Sequence, residues 1–188
     1  MASAHDAAAY VLERLRGPTS TMKLHKLVYY AQAWALAWDD APIFREAIEA
    51  WVDGPVVREL FEHHRGYREV RAWEGDPSRL TERQRVIIDE VLRFYGSRDG
   101  DWLSALSHRE RPWIEARQGA GPLDRTREVI THEAMRRYYG AAGFARAELP
   151  DAYARGLDLL VDMAPDEIDD MFEPADVAVE DELAWLQG

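Results

Sequence analysis

Histidine and serine are the residues here best equipped for proton transfer and nucleophilic attack near neutral pH. His25, His63, His64, His108 and His132 are side chains that could ligate a metal. His63 and His64 are adjacent and would point to different faces of a helix, and the others stand singly. There is no cysteine and no His-Glu-x-x-His pattern, so no metal is expected. Ser104 and His108 lie four residues apart, near Ser107 and Asp101, and a helix would set them on one face as a nucleophile and base. No nucleophile elbow or glycine-rich oxyanion loop accompanies them, so the hydroxyls read as helix caps. A small hydrolase or transferase using His108, His25 and a nearby carboxylate is the catalytic alternative. Gly119-Ala120-Gly121 is too short to cradle a phosphate, and Asp39-Asp40, Asp89-Glu90 and Asp169-Asp170 read as solvated pairs in so acidic a chain. No cofactor is expected.

Aromatic residues stand out beside this sparse catalytic equipment. Seven Trp and eight Tyr occur in 188 residues. Such rings build cores, and those at the surface anchor protein interfaces. Four or five of the seven Trp are expected in the core.

The elements that must hold these side chains are mostly helical. His5 to Arg16 reads as a helix stopped by Gly17-Pro18. Thr19, Ser20 and Thr21 can cap a second helix reaching Trp38, in which Leu24, Leu27, Val28, Ala31, Trp34 and Ala35 recur at helical spacing. Within Ile43 to Val52, Ile48, Ala50 and Val52 alternate with Glu49 and Trp51, predicting a strand closed by Gly54-Pro55. A helix over Val57 to Arg65 and a strand over Glu69 to Trp73 follow. Thr81 to Gln84 matches a capping box, and Asp99, Pro112 and Thr131 each mark a helix start. Val129-Ile130 can add a brief strand. The fold class is therefore mostly α with a small antiparallel β-sheet, plus a C-terminal acidic helical extension.

Charge divides the chain. Residues 148–188 carry 13 acidic side chains and one basic, Arg155, which leaves 22 of each in residues 1–147. The whole net charge of −12 thus belongs to the last 41 residues. A domain over 1–147 and an amphipathic acidic extension over 148–188 are expected. Nucleic acid is disfavoured as a partner, because phosphates need Lys and Arg, whereas a basic protein surface would suit the extension. The stretch Tyr29 to Trp38 is half the length of a membrane span and contains Gln32. The start resembles no signal peptide. A cytoplasmic bacterial or phage-derived protein, away from membranes, is the expectation.

Three segments in register resemble the Panacea domain of SocA-like antitoxins and phage-associated proteins. They are Met22 to Trp34 (MKLHKLVYYAQAW), Pro42 to Val57 (ending Gly-Pro-Val-Val) and Leu103 to Trp113 (LSALSHRERPW), and the likeness covers roughly residues 20–140. It implies a non-enzymatic antitoxin that neutralises an adjacently encoded protein toxin by direct contact, as part of a higher-order complex. A proteolytic adaptor that delivers its toxin to a bacterial protease is the variant reading. Of the matched residues, Leu24, Leu27, Val28, Ala31 and Trp51 are expected in the core, Gly54 in the turn and Pro55 at the next helix start. Lys23, Lys26, Tyr30, His108 and Trp113 are the candidates for a partner-facing site, or else for a polar network tying the second helix to the Pro112-Trp113 turn. Phe172, Val179, Leu183 and Trp185 are the apolar anchors proposed in the extension.

Overall fold

The computed structural model describes residues 1–121 and 123–141. Its centre is α2 (Thr21–Asp39), which starts where the Ser20 side chain accepts the Lys23 N–H. Fourteen of its nineteen residues are buried, so this helix has no solvent face of its own. Around it pack α1 (Ala4–Leu15), α4 (Glu82–Tyr95), α5 (Gly100–Ser107) and α7 (His132–Ala141). The two shortest helices are α3 (Arg58–His63) and α6 (Arg111–Ala116). The local start signals hold: Thr81 and Gln84 close a reciprocal capping box, Asp99 accepts the Trp102 N–H, and Thr131 accepts the Ala134 N–H. α1 begins earlier than its apolar pattern suggests, because Ser3 and Asp6 form a second capping box.

The small β component is antiparallel, but it forms two separate ladders among the described residues. In one, β2 (Ile48–Trp51) pairs with β3 (Gly54–Val57) across a tight turn at Val52 and Asp53. In the other, β1 (Thr19–Ser20) pairs with β4 (Glu69–Val70). Three sequence expectations are corrected here. Gly54-Pro55 does not close the hairpin but opens its second strand, and Pro55 is tolerated because it lies on an edge where no N–H is needed. The strand expected from Ile43 begins at Ile48, because Gln32 intercepts the backbone before it. Its Oε1 accepts the N–H groups of Ile43 and Phe44, and its Nε2 donates to the Phe44 carbonyl. The strand expected over Glu69 to Trp73 ends at Val70, and the Trp73 indole instead donates to His5 on α1.

A brief third strand does add to β2. Glu49 bridges Val129, with Ala50 N–H donating to Glu128 and Ile130 N–H to Ile48. The core is one continuous cluster that includes Trp34 and Trp38, with Trp73, Trp102 and Trp113 packed against it. Trp51 is corrected from core to half-buried: its indole N–H bonds Glu49 and its ring sits 4.7 Å from Phe61. No helix among the described residues is long and apolar enough to cross a membrane. The boundary expected at 147/148 and the extension beyond it, including Phe172, Val179, Leu183 and Trp185, lie outside the described residues.

Candidate functional site

The β2–β3 hairpin is gripped through its main chain by side chains from α2, α5, α6 and the segment after α6. Lys26 on α2 donates to the Asp53 carbonyl at 2.6 Å and to the Pro55 carbonyl at 3.2 Å. Ser104 on α5 also donates to Asp53, at 2.9 Å. The Trp113 indole on α6 donates to Trp51 at 3.0 Å. Just past α6, Arg117 reaches Ala50 and spans to Gly121 and Asp124, and Thr126 donates to Ala50 as well. Its guanidinium lies 4.7 Å from the Trp113 ring centroid. His108 stacks on Trp113 at 4.4 Å.

Gly54 sits where this grip is tightest. Its φ of 94° lies in the left-handed region, and a Cβ there would meet Lys26 Nζ and Ser107 Oγ at 2.7 Å. Lys26 is 1% exposed. Burial lowers its pKa from 10.5 to about 7, with the Asp53 charge opposing that shift. Burial also lowers the pKa of His108, helped by the Lys26 charge, and its Nε2 is buried without a partner among the described residues.

Two further polar clusters lie beneath. Glu110 is buried and accepts from Tyr30 at 3.2 Å and Tyr139 at 2.8 Å, and the Tyr139 oxygen, its one proton given to Glu110, accepts from the Tyr29 hydroxyl at 3.1 Å. Burial first, and the Glu110 charge second, push these tyrosines and Tyr95 well above their ordinary pKa. On the other side, Val57 N–H donates to His25 Nδ1, which leaves the proton on His25 Nε2 to be given to His64 Nε2 at 2.7 Å. An imidazole binding a metal through Nε2 carries its proton on Nδ1. That proton would face the Val57 N–H, so the pair does not suit a metal.

These positions resolve the candidates. Lys23 donates to the Gly96 carbonyl at 2.6 Å and fastens the end of α4. Lys26 and Tyr30 are fully buried in the chain, beneath the hairpin surface. His108 and Trp113 are half-buried, at the hairpin tip. His25 is paired with His64. Neither Lys26 nor His108 lines the cavity of about 420 Å³ beside His5, His63 and Glu74, or that of about 240 Å³ beside Pro112 and Val129. Sequence reasoning missed Gln32, Glu110 and Arg117. Arg117 alone carried a usable signal, four residues after Trp113 on one helical face.

Residues 24–114 match the family model described as Antitoxin SocA-like, Panacea domain. This segment is similar to the Panacea domain. The matched segment contains α2 from Leu24 onward, both strands of the hairpin, and Lys26, Ser104, Ser107, His108, Glu110 and Trp113. Lys23, Arg117, the strand at Val129 and α7 fall outside the match. No curated protein and no solved structure matches the chain.

Proposed function

We propose that the protein is an antitoxin that works by binding a protein toxin, without catalysis, in the bacterial cytoplasm. The observation carrying this reading is how the polar residues of the Panacea segments are used. Lys26, Ser104 and Trp113 all donate to the main chain of one hairpin. They fix the shape of a backbone surface and do not converge on an open cleft, as binding requires and turnover does not. The family name supports a toxin as the partner. The acidic segment 148–188, with Phe172, Val179, Leu183 and Trp185 as anchors, suits a basic toxin cleft, its charge speeding encounter.

The test is co-expression with the product of the neighbouring open frame. Growth should be restored, His108→Ala should restore it equally, and a stoichiometric complex should elute from a sizing column. A toxin that disappears from the cell instead of accumulating in that complex identifies the protease-delivery variant. Turnover of a small metabolite by the purified protein alone would falsify the binding reading.

A further inference from the structure

The two edges of the sheet around β2 are treated differently. From the turn through β3, side chains take the outward main-chain groups as far as the Val57 N–H: that N–H ends on His25, Pro55 has no N–H, the Pro55 carbonyl takes Lys26, and the Asp53 carbonyl takes Lys26 and Ser104. Such an edge cannot accept another strand. The opposite edge is the short strand at Val129. Ala50 N–H donates to Glu128 and Ile130 N–H to Ile48, both at 2.8 Å. Glu49 and Val129 are therefore the non-hydrogen-bonded pair of an antiparallel ladder, and the Val129 N–H and C=O point away from β2. Among the described residues neither group has a partner. Val129 is 48% exposed.

Beside this edge lies the cavity of about 240 Å³, with Pro112, Ala116, Ala134 and Val129 among its lining residues. Its charged lining is Glu115, Glu128, Glu133 and Arg137. Arg137 is spent on Glu115 at 2.6 Å, which leaves Glu128 and Glu133 without an ion partner among the described residues. The groove thus mixes those apolar side chains with Gln118, Thr131 and a negative wall, next to a free donor and acceptor.

We propose that this edge receives an extended, basic segment of the partner protein by strand addition. The Val129 main chain supplies the hydrogen bonds, the groove takes an apolar side chain, and Glu128 and Glu133 take Lys or Arg. The chain's own segment 148–188 is a poor occupant, with Arg155 as its one basic residue. A second copy would set one acidic wall against another. The owner of the segment rests on the antitoxin reading; the edge itself does not.

The experiment uses the full chain and a labelled octapeptide of alternating Arg and Val, with a Glu/Val octapeptide as the opposite probe. The Arg/Val peptide should bind and slow exchange of the Val129 amide at least tenfold by NMR. Glu128→Lys combined with Glu133→Lys should weaken that binding by about tenfold with an unchanged circular dichroism spectrum. Equal affinity in the double variant, with a freely exchanging Val129 amide, overturns the proposal and assigns capture to the acidic segment. No binding of the Arg/Val peptide also overturns it, as does a dimer that protects Val129 without peptide. If growth rescue fails while Val129 is protected, the antitoxin reading falls and the edge stands; the reverse result sinks only the edge.

Discussion

Replacing Lys26 with Met isolates the electrostatics beneath the hairpin. Lys26 has a folded-state pKa of about 7 against an ordinary 10.5, lowered by burial. Between these values the unfolded chain binds the extra proton, so folding stability rises with pH across that window. From pH 7 to 9.5 the linkage relation gives a gain of about 3 kcal/mol, near 1.4 kcal/mol per pH unit. Lys23, also lowered by burial, adds to the climb in both proteins just below 10.5, and the histidines and tyrosines stay outside the window. His25, His64, His108 and His132 have lowered values and act as the pH falls below 6.5. Tyr29, Tyr30, Tyr95 and Tyr139 have raised values, so their contribution is lost only as the pH rises past 10. With a urea m-value of about 2 kcal/mol/M, the wild-type midpoint should climb by roughly 1.5 M between pH 7 and 9.5. Lys26→Met should flatten that climb, so the deficit of the variant widens with pH. Equal slopes for the two proteins would refute the assignment.

Three further outcomes are expected. Gly54→Ala should cost at least about 2 kcal/mol by thermal unfolding, since it combines a left-handed φ with a Cβ at 2.7 Å from Lys26 and Ser107. Trp113→Phe keeps a ring against His108 but removes the donor to Trp51, and should cost about 1 to 2 kcal/mol in urea titration. Below pH 6.5 the wild type should lose stability, because burial holds His25 and His64 neutral in the fold while the unfolded histidines take up protons. His64→Gln should lose less between pH 6.5 and 5, as read from the urea midpoint.

What the sequence made legible was local. The caps at Thr81, Asp99 and Thr131 depend on residues three positions away, and each sits where its spacing places it. The alternation around Ile48 to Val52 likewise found the strand. What it concealed depends on partners far along the chain. Gln32 replaces a ladder partner for Ile43 and Phe44, and β4 pairs with the residues that cap α2. Gly54-Pro55 reads as a turn by composition, yet the hairpin turns two residues earlier. Lys26 and Tyr30 were recognisable as motif positions, but a lysine is ordinarily solvated, and only the carbonyls of Asp53 and Pro55 show why this one is not. Glu110 gave no signal of burial, because its two tyrosine donors come from α2 and α7.

The enclosure of α2 on every side has a consequence during synthesis. An apolar helix with no outward face has no free-standing soluble form. Its last residue, Asp39, is made about ninety residues before α7 begins at His132, the helix that covers much of it. At elongation rates of about 5 to 20 residues per second that interval is roughly 5 to 20 s. Throughout it, Tyr29, Tyr30 and Trp34 lack the cover of Tyr139, which they meet only once α7 is made.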